Sequence, residues 1–290
     1  MRSLLLVPLL LATAGSTAPV PTVPIAPGLR LPLINDGVSN RSLWVAAGGR
    51  GLDTALSYGD GDQQNVGEAI RASGLPREQF FVTSKVPCCP AAQFPFPFAE
   101  HCSARNTTAD AEHNVAMLGG LVPDLVLMHW PCDRFEDTLA TWRAMEGLVA
   151  QGSARSIGVS NFNSSLLALL LQHSKTKPAV NQCGFSIGGH NASRWGRDDA
   201  TVAACRKAGV QYSAYSPLGG WTGTDVLHHP TVLRVAAAHK RSAAQVALRW
   251  VVQQSIPAVT SAKVESYARE DLDIFSFALS SAEMAELSAV

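Results

Sequence analysis

The stretch Asp124-Leu-Val-Leu-Met-His129 is a short apolar run closed by a polar residue, set between helix-length amphipathic segments at Ala109 to Leu118 and Thr138 to Gln151. It reads as a strand, and the alternation extends in both directions from it. Towards the N-terminus come strands at Phe80 to Val86, Leu52 to Leu56 and near Leu31 to Ile34, with a helix at Asn65 to Ser73. Towards the C-terminus come strands at Ser156 to Ser160, Ala179 to Phe185, Gln211 to Tyr215 and Ile256 to Val259. Helices at Ser164 to His173, Asp198 to Ala208, Val232 to His239 and Ala243 to Gln254 separate them. Eight strands at a period of about 30 residues favour a parallel sheet closed into a (β/α)8 TIM barrel, a single α/β domain with its active site at the C-terminal face. An open doubly wound sheet is the runner-up, but no G-x-G-x-x-G follows the first strand.

Composition agrees with one folded domain. The 290 residues are 47% hydrophobic and 16% charged, enough to bury a large core, and no charge run or Ser/Gly-rich linker divides them. Lys+Arg 23 against Asp+Glu 23 leaves no net charge, so nucleic acid is not an expected partner.

Residues 1–18 read as a leader: Arg2, an apolar run from Leu4 to Ala12, then small residues at Ala14, Gly15, Ser16 and Ala18. The run is shorter than the roughly 20 residues a membrane span needs, so no span is expected in the mature chain, 19–290. Sequons at Asn40, Asn106, Asn163 and Asn191, four of nine asparagines, fit entry into the secretory pathway or an organelle reached through it. Without a working leader the expected location is the cytoplasm. Six cysteines are too few for a disulfide scaffold and match no zinc spacing, so no metal is expected. Cys88, Cys89 and Cys102 bracket a loop rich in Pro and Phe where one bridge would fit an oxidising compartment. The expected assembly state is a monomer.

The strand ends carry the chemistry. Asp53 and Tyr58 follow the second strand, Lys85 ends the third and His129 the fourth, so four polar groups would converge at the barrel top. Singly, each has an ordinary structural use: a turn-capping Asp, a loop Tyr, a snorkelling Lys, a His before a bend. Together at successive strand ends they are far more specific.

At these residues the chain resembles the aldo-keto reductase family over nearly its whole length after residue 30. The resemblance is carried by G-G-R-G-L-D-T-A-L-S-Y-G (Gly48 to Gly59), V-G-E-A-I-R (Val66 to Arg71), F-F-V-T-S-K-V (Phe80 to Val86) and D-L-V-L-M-H-W-P (Asp124 to Pro131). R-S-I-G-V-S-N-F (Arg155 to Phe162), N-Q (Asn181, Gln182), A-Y-S-P-L-G (Ala214 to Gly219) and E-D-L-D-I-F-S-F-A-L-S (Glu270 to Ser280) complete it. It implies reduction of a small-molecule aldehyde or ketone by NADP(H), with NAD(H) the second choice. By that match Tyr58 is the proton donor, Lys85 its positive partner, Asp53 the anchor of Lys85, and His129 a neutral donor that orients the carbonyl. The resemblance also places Ser160, Asn161 and Gln182 on the cofactor carboxamide, Tyr215 on the nicotinamide ring, Ser216 and Leu218 at the pyrophosphate, and Trp130 at the substrate mouth. Thr260, Ser261 and Lys263 would meet the 2′-phosphate.

Three departures from the family pattern stand out. Leu33-Ile-Asn-Asp-Gly37 replaces a Gly-Leu-Gly-Thr type turn, Val86-Pro87-Cys88-Cys89 replaces an aromatic pocket wall, and Tyr267 stands where relatives carry the Arg that meets the 2′-phosphate. Lys263 or Arg269 could compensate. Two other readings compete: a lumenal or secreted barrel that binds nucleotide or a partner without turnover, and a barrel hydrolase built on Asp53. No second strand-end acid is apparent for the latter.

Overall fold

The computed structural model describes residues 19–91, 106–188, 199–220 and 224–290. Eight strands form a closed parallel barrel: β3 (Ile34–Asp36), β4 (Gly51–Asp53), β5 (Phe81–Val86), β6 (Leu125–Met128), β7 (Ile157–Ser160), β8 (Val180–Gly184), β9 (Gln211–Tyr215) and β10 (Ala258–Thr260). They neighbour one another in chain order, and β10 pairs with both β9 and β3. The expected (β/α)8 TIM barrel is therefore the fold.

The helices between strands, α2 (Asp60–Ala72), α3 (Thr107–Met117), α4 (Phe135–Gln151), α5 (Ser164–His173), α6 (Asp199–Ala208), α7 (Pro230–His239) and α8 (Ala243–Val252), present one apolar face to the barrel. α8 buries Val246, Ala247, Trp250 and Val251 and opens on a capping box of Ser242 and Gln245. α4 buries Trp142, Met145 and Leu148 and stops at Gly152, whose φ of 76° only glycine adopts at little cost. Phe185 stacks on Trp250 with ring centroids 5.1 Å apart.

Two expectations are corrected at the N-terminal side. Leu31 to Ile34 is not one strand: β1 (Thr22–Ala26) and β2 (Leu29–Pro32) form an antiparallel hairpin, and the barrel begins at Ile34. The Leu33 N–H still donates to the Pro21 carbonyl at 2.8 Å, but Pro21 has no N–H to return, and the Leu33 carbonyl accepts from the Ala258 N–H of the barrel instead, so the hairpin ends there. Leu31, with Val23 and Ile25, packs on Phe81, Leu125, Leu127, Ala179 and Val180. Phe81, Leu125 and Val180 begin their strands, so the hairpin closes the barrel floor. The Leu52 to Leu56 strand is likewise cut to Gly51–Asp53, and Leu56–Tyr58 forms a single 3-10 turn. Short helices not expected from the sequence follow β3 and β10: α1 (Arg41–Ala46), α9 (Glu265–Leu272) and α10 (Ser281–Ser288).

Strand periodicity carries the reading from floor to mouth, since inward positions alternate along each strand. On β5 they are Phe81, Thr83 and Lys85; on β6 they are Leu125 and Leu127, followed by His129; on β8 they are Val180 and Gln182. Apolar residues fill the lower levels and the polar ones end at the C-terminal mouth.

One cysteine departs from expectation. Cys88 is bridged to Cys132, not to a cysteine of its own loop, with Cα atoms 5.0 Å apart. Cys89 is disulfide-bonded as well, while Cys183 and Cys205 are not in a disulfide. Cys102 and most of the Pro/Phe-rich loop lie outside the described residues, as do the leader and Asn191.

Candidate active site

β4 ends at Asp53 and β5 carries Lys85 one residue before its end, so these neighbouring strands deliver a carboxylate and an ammonium to the same level of the mouth. Both are buried, at 2% and 1% exposure, and they form an ion pair through Asp53 Oδ1. Lys85 Nζ also donates to the Thr54 carbonyl at 3.1 Å and to the Tyr58 hydroxyl at 3.4 Å. Burial alone would push Lys85 down, but the Asp53 carboxylate and the Tyr58 hydroxyl outweigh it and hold the lysine above its ordinary pKa. It is an ammonium at any working pH.

The 3-10 turn after β4 swings Tyr58 over the mouth, where the residue keeps 37% exposure while its hydroxyl end reaches inward to Lys85. Burial of that end raises the phenol pKa, and Lys85 pulls in the opposite sense. His129 directly follows β6, its ring edge-on to Tyr58 with centroids 5.6 Å apart. Burial, then Lys85, keeps His129 well below the usual histidine range, so the ring is neutral. Its Nδ1 lies 3.1 Å from the Ser57 hydroxyl. If that hydroxyl donates, the ring proton sits on Nε2, the nitrogen available to an oxygen beside Tyr58.

β7, β8 and β9 build the opposite wall. Ser160 Oγ donates to the Gln182 carbonyl at 2.7 Å, Asn161 Nδ2 donates to the His129 carbonyl at 3.0 Å, and the Tyr215 hydroxyl donates to Asn161 Oδ1 at 2.7 Å. Burial raises the Tyr215 pKa, so this hydroxyl stays protonated. Asn161 and Ser216 both hold positive φ, 66° and 50°, a strained setting for residues other than glycine that recurs at binding sites.

Together these residues line a cavity of about 520 Å³, within the usual range for small-molecule sites. Asp53, Tyr58, His129, Trp130, Ser160, Asn161, Gln182, Tyr215, Ser216, Leu218, Thr260 and Ser261 all stand in its wall, so nearly every residue expected from the sequence is brought to one place. Lys85 sits behind Asp53 and Tyr58. Lys263 is exposed and stands outside the wall. The Thr260 hydroxyl donates to Asp271 at 2.8 Å and the Ser261 hydroxyl to the Val38 carbonyl at 2.6 Å, so both hydroxyl protons are used within the protein. Arg269 is paired with Glu265 one helical turn away, at 2.6 Å.

The sequence reading missed a support layer. Buried Arg41 donates to the Asp36 carbonyl at 2.7 Å, the Asp53 carbonyl at 2.9 Å and both carboxylate oxygens of Asp62. Asp62 also accepts from the Thr54 hydroxyl at 2.6 Å. Asp36 is the strand-end acid thought missing, but Ser39 and Arg41 hold its carboxylate and it does not line the cavity, so it supplies no hydrolytic partner for Asp53. Asp36 ends the first barrel strand, and that position was the available signal.

The sequence matches the Aldo/keto reductase family over residues 42–290. It is 33% identical to a morphine 6-dehydrogenase of Pseudomonas putida, covering 92% of this chain and 90% of that one. It is also 33% identical to a glyoxal reductase of Bacillus subtilis, covering 88% and 84%. An aldo/keto reductase structure from Brucella melitensis superposes with a TM-score of 0.79 at 29% identity, over 93% of this chain and 99% of that one. The chain belongs to the aldo/keto reductase family, oxidoreductases that interconvert carbonyls and alcohols with a nicotinamide cofactor.

Proposed function

We propose that this protein reduces an aldehyde or ketone to an alcohol with NADPH preferred over NADH, using Tyr58 as proton donor. The observation that carries the reading is the convergence of Lys85 Nζ on both Asp53 and the Tyr58 hydroxyl, beside a neutral His129, at the wall of one cavity. That cavity fits a nicotinamide. Tyr215 offers a ring face, Ser160, Asn161 and Gln182 supply amide-compatible polar groups, and the strained backbone at Asn161 and Ser216 marks a built site. When bound, the cofactor supplies a hydride.

The protein's own residues handle the oxygen. Negative charge grows on the carbonyl oxygen during reduction, and Tyr58 delivers the proton to it. The ammonium of Lys85 stabilises the phenolate left behind, and Asp53 keeps that ammonium in place and charged. Nε2–H of His129 holds the carbonyl oxygen in line with Tyr58 before transfer. Trp130 walls the substrate end.

Preference for NADPH rests on Lys263, the one cation of the β10 exit without a carboxylate partner among the described residues. The bridges of Cys88 and Cys89 support, with the leader, entry into an oxidising compartment. The decisive test is carbonyl-dependent oxidation of NADPH and NADH by the wild-type protein and Tyr58→Phe. Turnover by the wild type and none by the variant supports the reading; equal turnover by both overturns it.

A further inference from the structure

The Cys88–Cys132 bridge occupies a particular place relative to the chemistry. Cys88 lies three residues beyond Lys85, and Cys132 lies three residues beyond His129. Strands β5 and β6 are adjacent, with Lys85 in register with Leu127 and Val86 with Met128. Their last ladder bond runs from the His129 N–H to the Val86 carbonyl at 2.9 Å. Past it, the two exit segments are joined by the disulfide, with the Asp133 N–H donating to the Pro90 carbonyl at 2.9 Å just beyond. The segment His129-Trp130-Pro131-Cys132 is thus fixed at one end by the ladder and at the other by a covalent link. Between those anchors stands Trp130, and both His129 and Trp130 line the cavity.

The junction itself is buried: Cys88 is 2% and Cys132 8% exposed. The Thr141 hydroxyl oxygen of α4 lies 3.3 Å from Cys88 Sγ, and the Cys132 N–H donates to Thr138 Oγ1 of the same helix at 3.0 Å. The bridge therefore pins both exit segments to each other and to α4. The residues that face the cofactor lie on the exits of β7 to β10, which the bridge does not touch; the link across, from Asn161 Nδ2 to the His129 carbonyl at 3.0 Å, is made at the ladder-anchored end of the segment.

We propose that the Cys88–Cys132 disulfide is a positioning element of the active site, holding His129 and Trp130 against the carbonyl while leaving the cofactor half of the cavity alone, so that opening it weakens carbonyl reduction without weakening cofactor binding. This rests on the catalytic reading given above. Opening by a dithiol reductant is balanced: the S–S bond breaks, two electrons and two protons pass from the reductant to form two thiols, and the reductant closes into its own disulfide.

The experiment compares wild type with Cys88→Ala/Cys132→Ala, using 4-nitrobenzaldehyde and NADPH, with NADPH affinity read separately from quenching of tryptophan fluorescence. The expected result is a roughly tenfold lower kcat/KM for the aldehyde, about 1.4 kcal/mol, with the NADPH Kd within about twofold of wild type. An unchanged kcat/KM overturns the proposal, even if the melting temperature falls, because that is the outcome of a purely structural bridge. A rise in NADPH Kd matching the loss in kcat/KM overturns it too. If the double variant does not fold, wild type is titrated with a dithiol reductant in its folded state while newly exposed thiols are alkylated and mapped. Activity must then fall in step with opening of Cys88–Cys132, in a Cys183→Ser background that removes the half-buried thiol, and return on reoxidation; opening without loss overturns the proposal. Wild type inactive on every carbonyl tried sinks the catalytic reading and this inference together. An active wild type, an inactive Tyr58→Phe and a fully active bridge variant overturn this inference alone.

Discussion

Gln182 Nε2 donates to Asp53 Oδ2 at 2.9 Å, although the two residues are 129 positions apart and their strands, β8 and β4, lie on opposite sides of the eight-stranded barrel. With Lys85 on Oδ1, both oxygens of Asp53 are bonded. The carboxylate is therefore oriented from two directions, and the wall assigned to the cofactor is tied directly to the ion pair that serves Tyr58. Gln182→Ala is expected to cost about 1–3 kcal/mol of stability, the range for leaving a buried acceptor unpaired, and to lower kcat as Asp53 loses its fixed orientation. Urea unfolding and steady-state kinetics check the two halves.

Asp53→Asn should be more severe. It leaves Lys85 as a buried cation without its counter-ion, a change that costs about 3–5 kcal/mol in comparable buried pairs. The lysine pKa would fall towards the value burial alone favours, and turnover would fall with it at neutral pH. Recovery of part of the activity at lower pH, where Lys85 is charged again, is the signature to look for.

The pH dependence of stability has a traceable source in the acids near the β10 exit. Burial raises Asp271 to about 7, and Asp36 to about 6 despite Arg41 and Ser39. A carboxyl whose pKa is higher in the folded state stabilises the fold at acid pH, and that contribution is lost as pH rises through its folded value. Asp271→Asn keeps an acceptor for the Thr260 hydroxyl and removes the charge. It should raise the melting temperature most at pH 8, and change it little only at about pH 3.5, below the ordinary carboxyl value where the loss begins. A uniform effect at both pH values would show that ionisation of Asp271 is not the cause. His129 acts in the reverse sense: its depressed pKa means stability falls as pH drops below about 6.5.

Cofactor choice should respond to charge at the β10 exit. Lys263→Ala is expected to shrink the preference for NADPH over NADH about tenfold, the worth of one charge-assisted contact near 1.4 kcal/mol. Arg269→Ala should change it little, because Glu265 already holds that guanidinium. Tyr267 stands 56% exposed and offers no charge. Ratios of kcat/KM for the two cofactors decide between the lysine and the arginine.

In its own cell type the protein is expected to begin after residue 13 and to carry glycan on Asn40 or Asn106, both exposed helix caps whose side-chain oxygen accepts a backbone N–H. Asn163 is also an exposed cap, but it follows Asn161 at the mouth and is expected to stay bare. Mass spectrometry of the mature chain reads all three.

The barrel was legible because buried parallel strands leave a simple trace, a short apolar run with a helix-length gap before the next. The polar residue at the end of each run then pointed to the mouth. The hairpin was not legible, since Thr22 to Pro32 carries three prolines that obscure strand alternation. Asp36, Arg41 and Asp62 were missed because their roles depend on being brought together from three elements, and nothing local distinguishes a buried Arg from an exposed one. The Cys88–Cys132 pairing was out of reach for the same reason, since strand adjacency, not sequence distance, brings the two thiols within bonding range.

The hairpin at the floor has a consequence for how the molecule can be attached to anything else. Residue 19 begins beside that floor, at the pole opposite the mouth, so a tether or fused module joined there would hang from the closed end with the reactive opening facing outward. Changes made on this side of the chain therefore act across the height of the barrel from Tyr58.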